Sequence, residues 1–422
     1  MARLLYTLTL LLLSPWVPLH LLWRARRQPE YLHRWGERFG YYAPRRPAPL
    51  IWLHAVSVGE TRAAQPLVAL LRQHWPEQRI LFTHMTPTGR HAGEEIFGDT
   101  VERVYLPYDY PWAVRRFLKH FRPTLGVIME TELWPNMIAD CHRSSIPLLL
   151  VNARLSEKSA RRYARFPTLT RQALRGLAAV AAQGGDDAAR LTRLGAPDVI
   201  VTGNLKFDIT PPPEQLALGA RLRGLWGGRQ VLVAASTRAG EEALLLDALR
   251  ARSMENLLLV IVPRHPQRFE EVAALIAARG LSFKRRSAVT ERAIAPETQV
   301  LLGDSMGEMF AYYAASDVAF IGGSLLDYGS QNLIEACAVG VPLLLGPSTY
   351  NFAAAAEQAL ACGAARRIEN AEDLLRVAEE LLGEAETRRR MGTAGQAFAA
   401  RHRGASARTL ALVEKTLAAA RR

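Results

Sequence analysis

The chain has 422 residues, of which 49% are hydrophobic and 22% are charged, a composition that excludes disordered and fibrous proteins. This length fits two domains of ordinary size better than one. Lysine and arginine total 53 against 40 acidic residues, and the net charge of +13 favours an anionic partner: nucleic acid, an acidic membrane surface or a phosphorylated substrate. The three cysteines are widely spaced, which argues against a disulfide framework or a cysteine-based zinc site and is typical of a reducing compartment.

The first segment, from Leu4 to Trp23, is an apolar run without a formally charged side chain. As one helix of about 20 residues it would match a bilayer core of about 30 Å, although its prolines allow a kinked or shallow insertion. Three arginines, the last of them Arg27, follow the run, and this asymmetry favours a cytoplasmic location for the rest of the chain. A cleaved signal peptide and a buried core helix are the alternatives. We predict that residues 1–27 are a membrane anchor.

After Pro47 the sequence alternates short apolar runs with longer helical stretches, which is typical of parallel sheets. The strands predicted in the first half are Leu50–Ala55, Ile80–Thr83, Leu125–Met129, Leu148–Val151, Val180–Ala182 and Val199–Thr202. Prolines at positions 211–213 then indicate an extended linker. The strands predicted in the second half are Val231–Ala235, Leu257–Val262, Val300–Leu302, Val318–Ile321 and Leu343–Leu345. The tail from Ala371 to Arg422 should be helical.

Two such halves predict an α/β protein with two Rossmann-like domains that face a central cleft. The predicted N-terminal domain covers residues 28–209 and the C-terminal domain covers 210–422, with terminal helices able to cross back to the first domain. Because ligands bind beyond the carboxyl ends of parallel strands, functional residues should directly follow the apolar runs. The glycine motif of dinucleotide-binding enzymes, the P-loop, the zinc-protease motif and the nucleophile elbow do not occur in the sequence, which disfavours those classes.

In the first half, three polar segments follow predicted strands. Glu60 is either a general base or a helix-start carboxylate favoured by the helix dipole. Glu130 and Glu132 would point the same way if the extended geometry of the strand continued, or one of them would cap the next helix. Lys206 would neutralise a leaving phosphate, or it would pair with Asp208 on the surface.

In the second half, three loops follow successive strands. Arg264 and His265 stand in a loop stiffened by two prolines, and this pair suits a phosphate or a base edge. The second loop lies in residues 300–309, which are predicted as a strand, a turn and the start of a helix. The third is the glycine-rich stretch 322–332, which precedes another helix. The N-terminus of a helix favours negative charge. Glu335, about one turn into that helix, could accept hydrogen bonds from ribose hydroxyls. Together these loops predict a nucleotide site. The acidic pair Asp186–Asp187 favours helix capping over metal binding.

Six strings together closely resemble the Kdo (3-deoxy-D-manno-octulosonic acid) transferase family, over the chain from the anchor to about Phe352. They are HAVSVGET at 54–61, METELWPN at 129–136, NARLS at 152–156, GNLKFD at 203–208, VPRHP at 262–266 and DSMGE at 304–308. The resemblance implies a GT-B glycosyltransferase on the cytoplasmic face of the inner membrane. It would move Kdo from CMP-Kdo to the lipid A precursor lipid IVA, with inversion, in lipopolysaccharide inner-core biosynthesis. The last motif departs from the family, with Ser330 and Leu333 where glycine and proline are more common.

Carried over by position, the resemblance implies that Glu60 deprotonates the acceptor hydroxyl and that Glu130 and Lys206 stabilise the transition state. The implied CMP-binding residues are Arg264, His265, Met306, Gly307, Glu308, Asn332, Leu333, Ile334 and Glu335. Because the donor carries one phosphate, arginine, lysine and helix N-termini could neutralise the leaving group, and we expect no metal or other cofactor. The implied partners are CMP-Kdo, the phosphorylated lipid IVA and the inner membrane surface. No nucleic acid partner is expected, because the basic and aromatic groove pattern is missing.

Two alternatives share most of these features. The first is a GT-B enzyme that uses a UDP-sugar on another lipid acceptor. The second is a non-catalytic, membrane-tethered nucleotide-binding protein, in which Glu60 would serve only to start a helix. Preference for CMP or for UDP distinguishes a Kdo transferase from the first alternative. The effect of replacing Glu60 distinguishes it from the second.

Overall fold

The computed structural model describes residues 1–26, 28–44, 48–252, 254, 256–289 and 293–420. The chain divides into two compact units, which we call unit 1 (Met1–Asp208 and His402–Arg422) and unit 2 (Ile209–Arg401). The predicted domain boundary after residue 209 lies one residue beyond the observed division. The tail was assigned to the second domain with terminal helices able to cross back, and the chain from His402 onward belongs to unit 1.

The seven strands of unit 1 form one parallel sheet. They are β1 (Leu50–His54), β2 (Arg79–His84), β3 (Glu102–Tyr105), β4 (Leu125–Met129), β5 (Leu148–Ala153), β6 (Ala179–Ala182) and β7 (Val199–Val201). Their order is β3-β2-β1-β4-β5-β6-β7, with Leu53 of β1 opposite Val127 of β4. Every residue of β1, β4, β5 and β6 is buried, because helices cover both faces of the sheet.

The first nine helices all belong to unit 1. They are α1 (Ala2–Leu12), α2 (Trp16–Ala25), α3 (Val58–His74), α4 (Pro87–Phe97), α5 (Pro111–Phe121), α6 (Pro135–Arg143), α7 (Glu157–Ala164), α8 (Pro167–Arg175) and α9 (Gly185–Leu194). Proline begins α4, α5, α6 and α8, a position where its missing N–H costs no intrahelical hydrogen bond. Ser57 and Thr86 accept hydrogen bonds that cap α3 and α4.

The apolar run forms two helices and not one continuous helix, in line with the kink that its prolines allow. The break between α1 and α2 contains Pro15, which cannot donate a backbone hydrogen bond, and the helices are bent by 55°. Among the described residues, no single helix is long and apolar enough to cross a membrane; α1 and α2 meet that test only when taken together, by length and composition. Arg27, part of the predicted basic flank, lies outside the described residues.

One face of α1 is fixed to unit 1 by hydrogen bonds. The Tyr6 hydroxyl donates to Asp109 at 3.1 Å, and the Thr7 hydroxyl donates to the side-chain oxygen of Asn136 at 3.1 Å. Asp109 is buried and accepts the first backbone N–H groups of α6. The large apolar side chains left exposed are Leu4, Leu5, Leu8, Leu11, Leu12, Leu13, Trp16, Leu19, Leu22 and Trp23. An apolar surface of this extent is typical of a membrane or partner interaction site.

Unit 2 contains a second parallel sheet of seven strands. They are β8 (Gln230–Thr237), β9 (Leu257–Pro263), β10 (Phe283–Arg285), β11 (Val300–Leu302), β12 (Val318–Ile321), β13 (Leu343–Leu345) and β14 (Ala365–Arg367). Their order is β10-β11-β9-β8-β12-β13-β14. The helices are α10 (Pro213–Trp226), α11 (Glu241–Ala251), α12 (Phe269–Ala278), α13 (Met309–Ala314), α14 (Ile334–Val339), α15 (Ala353–Ala361), α16 (Ala371–Gly383) and α17 (Ala385–His402). The predicted extended linker is shorter than expected, because Pro213 begins α10.

The last helix, α18 (Ala405–Ala420), returns to unit 1. Its apolar residues, among them Leu412 and Val413, share a core with Leu67 of α3. Asp208 caps its N-terminus by accepting hydrogen bonds from the backbone N–H groups of Gly404 at 2.8 Å and Ser406 at 2.6 Å. The predicted helical tail is therefore confirmed over its described residues, and its last helix completes the core beneath α3.

Candidate active site

In unit 1, polar residues gather at the carboxyl ends of neighbouring strands. β1 ends at His54, and Glu60 lies in the first turn of the following helix, α3. β4 ends at Met129, and Glu130 follows directly. Because β1 and β4 are paired and parallel, both carboxylates leave the same edge of the sheet.

Glu60 is a carboxylate with little exposure, 7% of its surface. It accepts hydrogen bonds from the backbone N–H of Val56 at 2.8 Å and from the hydroxyl of Ser57 at 2.7 Å, while Ser57 accepts the N–H of Glu60 at 3.3 Å. Burial raises the pKa of Glu60, and these two hydrogen bonds oppose the rise. Glu60 therefore both starts the helix, through a reciprocal capping arrangement, and has the increased proton affinity that a general base needs.

Glu130 and Lys206 form an ion pair, with Nζ of Lys206 3.1 Å from Oε1 of Glu130. Glu130 has a φ of 56°, the left-handed region that side chains rarely adopt. The expectation that extended geometry continues past Met129 is therefore wrong. Surface pairing of Lys206 with Asp208 is wrong as well, because Asp208 caps α18.

The turn that carries Lys206 is fixed from both sides. Asn152, fully buried at the end of β5, accepts the backbone N–H of Leu205 at 2.9 Å, and Asn204 accepts the N–H of Lys206 at 2.9 Å. On the other side, Asp208 is bound to α18. The sequence analysis gave Asn152 no role of its own. A usable signal was present, because Asn152 is a polar residue directly after an apolar run, in the strand paired with β4.

A third carboxylate, Glu132, lies in the same electrostatic environment. Burial, and then the negative charges of Glu60 and Glu130, raise the pKa of Glu132 to about 7. Lys206 lowers the pKa of Glu60, whereas Glu130 raises it. The three carboxylates are therefore coupled, and with a pKa of about 7 Glu132 retains a proton in part of the molecules near neutral pH.

We predict that Glu132→Gln stabilises the protein at high pH and not at low pH. The folded-state pKa of Glu132 is about 7, above its ordinary value of 4.5, so the stability linked to its protonation is present below 4.5 and is lost as pH rises through 7. Glutamine stays neutral, and because Glu132 is partly exposed we expect a gain of about 1–2 kcal/mol at about pH 8.5 and little at about pH 4. Urea unfolding at both pH values measures the change in the free energy of unfolding, and Glu94→Gln at an exposed position is the control. An equal change at the two pH values would contradict the prediction.

The acidic pair at the start of α9 behaves as a structural feature. The carboxylate of Asp187 accepts the backbone N–H of Leu155 at 2.8 Å, and Asp186 pairs with Arg190 at 3.3 Å. Among the described residues, no group of three or more histidine, cysteine, aspartate or glutamate side chains could hold a metal ion. The expectation of a metal-independent reaction stays a prediction.

Unit 2 carries a cationic cluster beyond β8 and β9. The backbone N–H of Arg264 donates to Thr237 at 3.0 Å, and its side chain donates to Gln331 at 3.2 Å. His265 lies 3.0 Å from the guanidinium of Arg238, which lies 4.7 Å above the ring of Tyr328. Burial, then Arg238 and Arg264, lower the pKa of His265, so the neutral imidazole is favoured. The predicted pair Arg264–His265 therefore belongs to a cluster with concentrated positive charge.

Arg238 is a candidate functional residue that the sequence analysis missed. It follows β8 directly, where the rule for parallel sheets places ligand-binding residues, so the signal was available. Its position is supported by Glu241, a fully buried carboxylate that accepts the backbone N–H groups of Arg238 at 2.8 Å and Gly323 at 2.7 Å. Glu241 thereby joins the loop after β8 to the glycine-rich loop after β12.

The loop after β11 carries the predicted residues Met306, Gly307 and Glu308. Met306 is largely exposed, and Gly307 has a φ of 77°, a conformation suited to glycine. Glu308 accepts hydrogen bonds from the hydroxyl of Ser305 at 2.6 Å and from Arg286 at 3.1 Å. The loop is therefore held by Glu308, while the side chain of Met306 faces solvent.

The segment after the glycine-rich loop presents fewer side chains than predicted. Leu333 and Ile334 are completely buried, so their backbone is the part that a ligand can reach. The side-chain amide of Asn332 donates to Glu335 at 3.0 Å and its oxygen accepts the N–H of Ile334 at 3.0 Å. Glu335 is the second residue of α14, earlier in the helix than predicted.

Ser330 has a φ of 69° and is 1% exposed, so its Cβ atom brings backbone strain into this loop. We predict that Ser330→Gly stabilises the protein by about 0.5–1 kcal/mol, because relief of about 1–2 kcal/mol of left-handed strain outweighs the greater entropy of glycine in the unfolded chain. The midpoint of thermal unfolding measures the change. Ser330→Ala keeps the Cβ atom and is the control; equal stabilisation by alanine would contradict the strain assignment.

Two parallel sheets, with polar residues beyond the carboxyl ends of their strands, define the α/β fold of GT-B glycosyltransferases. The crystal structure of a glycosyltransferase from Rickettsia africae has the same fold, with a TM-score of 0.58 at 12% identity, over 88% of this chain and 99% of that chain. At this identity the likeness concerns the fold alone.

Sequence comparison identifies the family within this class. The family model for 3-Deoxy-D-manno-octulosonic-acid transferase (kdotransferase) matches residues 33–209. The 3-deoxy-D-manno-octulosonic acid transferase of Bordetella pertussis is 46% identical, over 99% of this chain and 100% of that protein. The transferase of that name from Haemophilus influenzae is 39% identical, over 99% of both chains. This chain belongs to the 3-deoxy-D-manno-octulosonic acid (Kdo) transferase family, which confirms the resemblance seen in its motifs.

Proposed function

We propose that this protein transfers Kdo from CMP-Kdo to a hydroxyl group of lipid IVA, with inversion at the anomeric carbon and release of CMP. Membership of the Kdo transferase family supports the sugar that is transferred.

The carboxylate of Glu60 is the observation that carries the proposal. It is almost buried at the carboxyl end of β1, and burial raises its pKa. When the acceptor hydroxyl attacks the anomeric carbon, Glu60 takes the hydroxyl proton. As the new bond to the anomeric carbon forms, the bond from that carbon to the phosphate oxygen breaks, and its electron pair leaves with CMP. A single displacement of this kind inverts the anomeric centre.

We assign to Lys206 and Glu130 the stabilisation of the transition state. The ammonium group of Lys206 supplies positive charge, and its contact with Glu130 at 3.1 Å fixes the position of that charge. Asn152 and Asp208 hold the turn from both sides, so the charge is in place before the substrates bind. Preorganised charge of this kind requires little reorganisation during the reaction.

We assign the binding of CMP-Kdo to unit 2. Arg264, Arg238 and His265 form the cationic cluster suited to the single phosphate of the donor. The loop at 306–308 and the segment from Asn332 to Glu335 supply polar groups for the cytidine and its ribose. With arginine side chains near the phosphate, the leaving group needs no metal ion, and addition of EDTA should leave the rate unchanged.

We place the protein on the cytoplasmic side of the inner membrane. The exposed apolar faces of α1 and α2 and the net charge of +13 suit an anionic membrane surface. The proposed acceptor, a phosphorylated lipid, is found at such a surface.

The decisive experiment is mass spectrometry of lipid IVA after incubation with the protein and freshly generated CMP-Kdo. A mass increase of one or more Kdo units, absent with Glu60→Gln, is expected. Thermal shifts with CMP and with UDP test the nucleotide in parallel. Stabilisation by UDP alone would favour a UDP-sugar transferase, and CMP binding without sugar transfer would favour a non-catalytic nucleotide-binding protein.

A further inference from the structure

Positive charge is concentrated in the segment 154–175, which contains seven arginine or lysine residues and one acidic residue, Glu157. These 22 residues contribute +6 of the net charge of +13. The segment forms α7 and α8, and all seven cationic residues are exposed. Such a concentration within one stretch of helix predicts a binding surface for an anion.

Four of these cations line one open cavity of about 470 Å³ on unit 1. The cavity is lined by Glu157, Lys158, Arg161, Arg162 and Arg165. Glu157 already contacts Arg161 at 3.4 Å, Arg190 at 3.3 Å and Arg193 at 3.2 Å. Within the described ranges of the chain, no carboxylate lies within ion-pair distance of the remaining three lining cations. The cavity therefore has excess positive charge that its own acidic residue does not neutralise.

The cavity lies on α7, close in the fold to the strands that precede Glu60 and Glu130. α7 begins just after β5, which pairs with β4, and the hydroxyl of Thr131 donates to the carbonyl of Arg154 at the end of β5. On the inner side of α7, Tyr163 is partly buried against the same core as Trp134, and burial, followed by the charge of Glu132, raises the pKa of Tyr163. α8 also contacts α1, whose outer face exposes leucines. The cations are thus linked to both the glutamate site and the apolar N-terminal surface.

We propose that the cavity on α7 binds a phosphate monoester of the lipid acceptor while the acceptor hydroxyl lies at Glu60. The inference rests on the proposed function and assigns the recognition of the acceptor to these residues. A phosphate monoester carries a charge of about −1.5 to −2 near neutral pH, and arginine can bind it through two parallel hydrogen bonds. A phosphodiester headgroup carries only about one negative charge, so a cluster of cations favours the monoester over the surrounding bilayer.

The test compares two double variants that each remove two positive charges from the segment. Arg162→Gln with Arg165→Gln changes the cavity, and Arg171→Gln with Arg175→Gln changes exposed positions on α8 outside it. Initial rates are measured with lipid IVA and with lipid IVA from which one phosphate has been removed. We expect the cavity variant to raise the KM for lipid IVA by about tenfold and to lose discrimination between the acceptors. In the cavity variant the KM for CMP-Kdo should change by less than about twofold. In the α8 variant the KM for lipid IVA should also change by less than about twofold.

Vesicle binding separates this inference from the proposed function. Phosphatidylcholine vesicles are doped with lipid IVA, or with phosphatidylglycerol at matched surface charge, and bound protein is sedimented. Wild type should prefer lipid IVA, and only the cavity variant should lose that preference. If wild type prefers lipid IVA vesicles through the cavity but transfers no Kdo, the proposed function would be overturned and this site would still be supported. Equal losses in both variants, or on both vesicle types, would overturn the site and indicate general attraction to the membrane.

Discussion

Replacing Glu60 with glutamine is expected to lower the rate of Kdo transfer by about a thousandfold, the range of a lost general base. Glutamine has the same shape and can still accept the hydrogen bond from Val56, so the start of α3 should persist. CMP binding should stay within about twofold, because the residues assigned to CMP lie in unit 2. The transfer rate and the thermal shift with CMP measure the two quantities.

The pH dependence gives a second measure of the same group. A general base acts as the carboxylate, and burial raises the pKa of Glu60. The rate should therefore fall as pH decreases through a value above the ordinary one, and this acid limb should be absent from the residual rate of Glu60→Gln. Glu94→Gln, an exposed exchange in unit 1, is the control. Full activity of Glu60→Gln would leave Glu60 with its helix-start role alone.

Lys206→Met should lower the rate by about a hundredfold or more, since it removes a preorganised charge. It also leaves Glu130 without its partner at 3.1 Å, beside two further carboxylates. Because Lys206 lowers the pKa of Glu60, its loss raises that pKa further, and the acid limb should move to higher pH. A pH–rate profile of the variant measures both effects.

Two further variants determine whether the ion pair acts as a unit. If it does, Lys206→Met combined with Glu130→Gln should cost far less than the product of the single losses. Lys119→Met, at an exposed position of α5, controls for the loss of one positive charge. Strictly multiplicative losses would mean that Lys206 and Glu130 act independently.

The strands that were missed show what a single sequence can predict about this fold. β4, β11, β12 and β13 were predicted with their observed bounds, because strands buried on both faces consist of continuous apolar residues. The three missed strands are β3, β10 and β14, which read ERVY, FKR and ARR. Each is an edge strand of its sheet. Edge strands are covered less completely and tolerate charged residues, which hides them from a search for apolar runs.

The site was predictable in its parts and less so in its contacts. Glu60 and Lys206 could be named because each follows an apolar run and lies in a family motif. The pairing of Lys206 with Glu130 joins residues 76 positions apart, and the rival partner Asp208 was much nearer in sequence. The positive φ of Glu130 depends on the surrounding fold and carries no sequence signal. Local patterns predicted which residues matter, while tertiary structure decided which of them touch.

The return of α18 has a consequence for biosynthesis. Asp208 is 196 positions before its hydrogen-bond partner Gly404, and all of unit 2 is synthesised in between. At about 5–20 residues per second, the ribosome needs about 10–40 s to make that interval. During this time the nascent first unit lacks the helix that closes its core, and apolar residues of α3 such as Leu67 lack part of their cover. We therefore expect the newly made first unit to be the stage of synthesis at which chaperones are most needed.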